Sequence, residues 1–267
     1  MRIFKFMKEN IEDIFTIVTP SYNQGCFIEE TINSVLSQAG DFYIDYIVAD
    51  GGSGDKTVEI LKKFDDLLKE NKYPIKCKGI NFRWWSEKDR GQSDAINKGF
   101  SVARGNYFAY INSDDYYLED ALSRVINVFR TSEADLVYGK CMGLFQSDPK
   151  KNVYNIPYSR INFKTLIKNG PQIYQPSTFW TRSVYNLVGP LDVNYHYAMD
   201  YDYYLRILKM GRAEFLDHFL SKFRVREGQK STSIKKLLEE FTCINKRYNG
   251  GRHSWYYLKT KVKILFL

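Results

Sequence analysis

At 267 residues the chain is long enough for one large domain with a sizeable core, and 44% hydrophobic with 26% charged content is ordinary for a soluble globular protein. Its formal charge of +8 suits an anionic ligand, an anionic membrane surface or nucleic acid, but no RNP signature, zinc finger or similar module is present, so no nucleic-acid partner is expected. Cys26, Cys77, Cys141 and Cys243 are scattered without metal-ligand or CxxC spacing, which excludes a zinc ribbon and reads as free thiols.

Taken in chain order, residues 15–19 form a short apolar run closed by Pro20, and Phe27, Ile28, Ile32, Val35 and Leu36 then mark a helix face. Residues 43–49 predict a second strand, with Val58, Leu61, Phe64 and Leu68 as the face of a second helix. A third strand is expected near 80–85, then a helix carrying Ala95, Ile96, Phe100 and Ala103, then a buried strand within 106–111. This βαβ alternation predicts an α/β fold with a mostly parallel, Rossmann-like sheet and helices on both faces. Further on, Leu118, Leu122, Val125, Ile126 and Phe129 predict a helix and residues 136–145 a strand. Residues 146–170 read as polar and irregular; helices return near 184–188 and 199–210, and 214–225 reads as strand. Without repeats or low-complexity linkers, residues 1–232 are expected to form one continuous domain, its halves at about 14–116 and 117–232. A small helical extension follows over 233–267. Residues 1–10 lack a signal-peptide pattern and no window approaches 18 apolar residues, so the expected location is cytoplasmic.

The most informative local feature is the polar, acidic step Asn112, Ser113, Asp114, Asp115 at the end of the fourth apolar run. Open α/β sheets bind ligands at such strand ends, and two adjacent acids there suit a divalent metal, although one of them capping the next helix explains them as simply. Ahead of the step lie residues 16–23 (TIVTPSYN), 48–57 (VADGGSGDKT) and 86–99 (SEKDRGQSDAINKG), and beyond it 198–207 (AMDYDYYLRI). The loop at 50–54 is neither GxGxxG nor a P-loop, so dinucleotide and P-loop readings lack their diagnostic residues. In this order the four motifs and the acidic step resemble the inverting glycosyltransferases of family 2, which use a GT-A fold; the resemblance runs from about 15 to about 233.

That resemblance implies a nucleotide-sugar donor, most plausibly a UDP-sugar, a glycan or lipid-linked acceptor in surface polysaccharide synthesis, and Mn2+ or Mg2+ as cofactor. It implies that Pro20, Tyr22 and Asn23 line the nucleotide pocket and that Asp50 hydrogen-bonds the base. The bland alternatives are that Pro20 and Asn23 only build a turn and Asp50 only opens a flexible loop. Asp94 is expected near the ribose or metal and Arg90 near the phosphates, against a plain helical ion pair of Asp94 with Lys98. Within the step, Asp115 best matches the metal ligand and Asp114 the residue near ribose, diphosphate and metal; Asn112 stands where many relatives have the first Asp. Asp200 matches the catalytic base, with Met199 where the family usually has Glu, and an acid merely favoured by a helix dipole is the alternative. Gln175, Arg226 and Lys230 are candidates for the donor and acceptor pocket. Two other readings are a catalytically silent nucleotide-sugar-binding module and a sugar-phosphate nucleotidyltransferase, whose Gly-rich N-terminal loop this chain lacks.

From Lys246 to the end there are six Lys or Arg and no acid, interleaved with Trp255, Tyr256, Tyr257, Leu258, Ile264, Leu265, Phe266 and Leu267. Such a tail suits the surface of an anionic membrane, or packs its aromatics on protein.

Overall fold

A computed structural model describes residues 12–145, 152–155, 157, 160–226, 229–230 and 233–249. Its first half is the expected βαβ series: β1 (Ile14–Ser21), α1 (Ile28–Leu36), β2 (Gly40–Asp50), α2 (Thr57–Lys69), β3 (Cys77–Ser86), α3 (Gln92–Ser101) and β4 (Tyr107–Tyr110). These strands are parallel and lie in the order β3-β2-β1-β4. The chain therefore steps outward from β1 to β3, returns, and places β4 on the other side of β1. The crevice at that reversal, between the C-terminal ends of β1 and β4, is where open sheets of this kind bind ligands.

Both faces of this sheet are covered, and the strands alternate between two cores with period two. Phe15 and Ile17 of β1, with Tyr107 and Ala109 of β4, join the core under α1 and α2; Val18, Phe108 and Tyr110 join the other. On that second face α3 approaches so closely that a Cβ on Gly99 would stand 2.6 Å from Cγ1 of Val18. Glycine sets the spacing there.

The second half mixes directions. After the two-residue β5 (Tyr116–Tyr117) come α4 (Ala121–Thr131) and β6 (Leu136–Phe145), which pairs parallel with β9 (Ala213–Val225) and antiparallel with β7 (Asn152–Asn155). β8 (Thr178–Thr181) runs antiparallel between β4 and β6, joining the halves into one nine-stranded sheet among the described residues. α5 (Phe163–Asn169), α6 (Arg182–Val188), α7 (Met199–Met210) and α8 (Ile234–Asn249) complete the described helices.

Two stretches differ from the sequence expectation. Residues 146–170 contain β7 and α5, the latter opened by a capping box in which Thr165 N donates to Asn162 Oδ1 (3.0 Å) and Asn162 N to Thr165 Oγ1 (2.9 Å). β8 follows a 3-10 turn, Gln175–Ser177. It is a four-residue strand specified by its neighbours rather than by a period of its own.

α8 begins where the helical extension was expected, and Leu238, Phe241 and Ile244 pack into the same core as α5 and α7. The basic aromatic tail lies, from Gly250 onward, outside the described residues. Among the described residues no helix is long and apolar enough to cross a membrane.

Candidate active site

A cavity of about 750 Å³ opens at the β1/β4 crevice. One wall comes from the β1 end (Pro20, Tyr22), the start of α3 (Gly91, Gln92) and the acidic step (Asn112, Asp114); the facing wall brings Gln175, Asp200, Arg226 and Lys230. Segments from Pro20 to Phe241 thus meet in one space.

At the β1 end of the cavity Tyr22 is 62% exposed, its ring available for stacking at the rim. Its neighbour Asn23 has another task. In the left-handed region at φ +52°, it receives Gly54 N on Oδ1 (3.0 Å) and donates its own N–H to Ser53 Oγ (2.7 Å). Asp50, expected to meet the base, is 1% exposed and accepts from Gly52 N, Ser53 N, Ser53 Oγ and Ser86 Oγ. Three of these donors reach Oδ2 and one Oδ1. Asp50 and Asn23 therefore brace the two loops against each other and do not line the cavity.

Arg90 and Asp94 also depart from expectation. The Arg90 guanidinium, 79% exposed, donates to Asp94 Oδ1 at 2.8 Å, and this bond is the main cause holding the Asp94 carboxyl below the usual range. Lys98 stands 3.8 Å away, a helical ion pair beside the stronger one. From this segment the cavity receives Asp89, Gly91 and Gln92 instead. Gly91, at φ +111°, opens α3 in a conformation that side chains rarely adopt.

The acidic step divides its two carboxylates. Asp115 is fully buried; Oδ1 accepts Arg224 N (2.9 Å) and Oδ2 accepts Asn112 Nδ2 (3.2 Å). Burial, and next the adjacent Asp114, push its pKa well above the carboxylate range. Asp115 is thus structural, contrary to its expected part as metal ligand. Asp114 is the carboxylate on the cavity wall, where its Oδ2 meets Arg226 Nε (3.2 Å) and Gln229 Nε2 (2.9 Å). Neither acid caps α4, whose N-cap is Asp120. Among the described residues no three His, Cys, Asp or Glu gather as a metal cage. A single hard carboxylate on the cavity wall, shared with Arg226 and Gln229, does fit the mode of Mg2+ or Mn2+, which take few protein ligands and complete their shell with substrate phosphates and water.

Asn112, in place of the first Asp, is the hub of a polar chain across the cavity floor. Lys230 Nζ donates to Gln92 Oε1 (3.0 Å), Gln92 Nε2 to Asn112 Oδ1 (2.6 Å), Asn112 Nδ2 to Gln175 Oε1 (3.2 Å), and Gln175 Nε2 to the Tyr110 carbonyl (2.5 Å). The sequence reading found Gln175 and Lys230 but missed Gln92 and Gln229. Gln92 and Gln229 are uncharged amides with no distinctive spacing of their own, and the fold identifies them through their bonds to Asn112 and Asp114.

Asp200 is the second residue of α7 and lines the cavity. Its Oδ1 accepts Tyr201 N at 2.8 Å, and burial lifts its pKa to about 6. An acid placed only to suit the helix dipole is stabilised in its charged form, the opposite shift. The loop entering α7 is held from α8: Glu240 accepts His196 N (2.9 Å), Tyr197 N (2.7 Å) and Ala198 N (2.8 Å). Asp202 faces away, buried against Arg206 Nε (3.0 Å) and Tyr248 OH (3.0 Å).

A family model described as Glycosyl transferase family 2 matches residues 16–186. The chain belongs to that family. An uncharacterized glycosyltransferase of Rickettsia typhi is 24% identical over 250 residues, covering 89% of this chain and 72% of its own. A PGL/p-HBAD biosynthesis glycosyltransferase of Mycobacterium bovis is 26% identical over 196 residues, 72% of this chain and 69% of its own. Among solved structures, S. aureus TarS 1–349 in complex with UDP-GlcNAc superposes with a TM-score of 0.65 at 17% identity, covering 94% of this chain and 71% of that one. Mannosyltransferase PcManGT from Pyrobaculum calidifontis, in complex with GDP-Man and Mn2+, gives 0.65 at 13% identity, covering 96% and 70%. The fold is therefore GT-A. The family match stops at 186, so in this glycosyltransferase Asp200, Arg226, Lys230 and the whole of α8 lie beyond the matched segment.

Proposed function

We propose that this family 2 glycosyltransferase moves a single sugar, with inversion, from a nucleotide-diphosphate donor to a hydroxyl of a glycan or lipid-linked acceptor in surface polysaccharide synthesis. A UDP-sugar is the first choice of donor. One observation carries the reading: Asp200, a half-buried carboxyl whose desolvation lifts its pKa to about 6, and Asp114 stand on the walls of the same cavity. A carboxyl tuned towards neutrality is suited to general-base work.

Asp200 takes the proton of the acceptor hydroxyl as its oxygen attacks the anomeric carbon, and the bond from that carbon to the diphosphate breaks on the opposite face. The diphosphate leaves with the bonding pair. Asp114 would hold a divalent cation, which when bound neutralises charge on the leaving diphosphate. Arg226 and Lys230 add positive charge along the same wall, and Tyr22 stacks on the base. The ligands printed for TarS and PcManGT, UDP-GlcNAc and GDP-Man with Mn2+, are in keeping with this. A silent binding module has no use for a raised-pKa carboxyl on the cavity wall, which favours the enzyme.

Replacing Asp200 by Asn tests the reading. Transfer should fall by about two to four orders of magnitude while donor binding, read as a shift in melting temperature by UDP- and GDP-sugars with manganese, stays near wild type. An Asn variant keeping more than about a tenth of turnover would sink the base assignment.

A further inference from the structure

Around Asp200 the cavity changes character. Ile173, Pro176, Met199, Phe223, Leu237 and Phe241 line it there. Nearby polar groups already have partners: Gln175 bonds Tyr110 and Asn112, and Asp200 Oδ1 holds Tyr201 N. Arg226 and Gln229 are engaged with Asp114 and Lys230 with Gln92; the other polar side chains of this wall are the phenols of Tyr174 and Tyr197, the Cys141 thiol and the exposed His196. A bare sugar acceptor presents several hydroxyls, and each loses affinity when buried without a partner. Apolar carbon loses nothing in such a place and gains from leaving water.

Resting on the transferase reading above, we propose that the acceptor carries an apolar group, alkyl or aryl, directly beside the hydroxyl that reacts, and that this group seats against Leu237 and Phe241 of α8. Four of the six residues on this wall, Met199, Phe223, Leu237 and Phe241, thus lie beyond the family-matched segment, two of them on α8. Specificity for the acceptor is then written in α8, while donor recognition lies at the β1/β4 crevice.

The test is calorimetric titration of the full-length chain with octyl, phenyl and methyl β-glucosides below micellar concentrations, with and without the nucleotide that shifts its melting temperature. At least one of the octyl and phenyl glucosides should bind about tenfold or more tighter than the methyl glucoside, with a negative heat-capacity change. Octyl ahead of phenyl identifies an alkyl chain; the reverse order identifies an aryl group. Leu237→Asn, at a partly exposed position, should shrink the preference to about threefold or less, and Leu237→Met should keep it. Equal binding of all three glucosides, no measurable binding of octyl and phenyl, or a preference untouched by Leu237→Asn would each overturn the proposal. The nucleotide arm reports separately on the transferase reading, because donor binding there does not depend on which glucoside is chosen.

Discussion

Asp200 links rate and stability through one proton. Its folded-state pKa of about 6 lies above the unfolded carboxyl value of about 3.9. Between these values the folded chain holds a proton that the unfolded chain has released, so this group's contribution to stability falls as pH rises from about 4 to about 6. Two pKa units correspond to about 3 kcal/mol. Activity runs the other way, since only the ionised form accepts a proton: kcat should climb through about pH 6 and then level. Asp200→Asn should therefore be more stable than wild type at pH 7.5 by up to about 3 kcal/mol, and equal to it near pH 4, while nearly inactive throughout. Urea titrations at the two pH values check this. The neighbouring acids of the step separate in the same manner. Asp114→Ala should remove the response of donor binding to manganese and, because the Arg226 guanidinium it holds is partly exposed, should cost less stability than Asp115→Ala. Asp115→Ala leaves Arg224 N and Asn112 Nδ2 without their buried acceptor and should destabilise by about 1–3 kcal/mol per donor. Donor isotherms with metal and with chelator, alongside melting curves, tell the two apart.

At the scale of elements, α8 sets the environment of α7. Glu240 closes three backbone N–H groups at the entrance to α7, where the N-cap, Ala198, offers no side chain, and its charge also raises the Asp200 pKa. Glu240→Gln keeps an acceptor oxygen but removes that charge. Its pH-rate midpoint should move to the acid side of wild type; an unchanged midpoint with a lowered kcat would reduce Glu240 to a purely structural clamp. This contact spans more than 40 residues and has no sequence signature. What the sequence made legible was local: apolar runs for β1, β2 and β4, 3.6-residue faces for α1, α2 and α4, and the motifs at strand ends. What it hid was relational. β8 is a strand because β4 and β6 flank it, and α5 is seven residues inside a polar stretch. Adjacent Asp114 and Asp115 differ only in which one the β9 backbone covers, and Asp50 looked like a ligand contact until its four loop donors were in view.

For the whole molecule, the charge of +8 is carried partly by the tail, where Arg252, Lys259, Lys261 and Lys263 follow the end of α8. Each basic residue near an anionic surface contributes about 1 kcal/mol, so the full-length chain should co-sediment with phosphatidylserine vesicles at low salt. Truncation after Asn249 should abolish that binding; equal sedimentation of both chains would assign the charge elsewhere. The truncation keeps the whole of α8, which docks through Leu237, Leu238, Phe241, Ile244 and Tyr248 in the core, the three Glu240 bonds and Tyr248 OH on Asp202. A helix held mainly by side chains, where the strands are held by a backbone ladder, opens at a lower free energy than the sheet beneath it. Opening would release Glu240 from the loop before α7 and strip Leu237 and Phe241 from the cavity, with the nine strands still paired. Heat should therefore switch the enzyme off, reversibly, several degrees before it unfolds, and α8 amides should exchange with deuterium well ahead of those in β1 and β4.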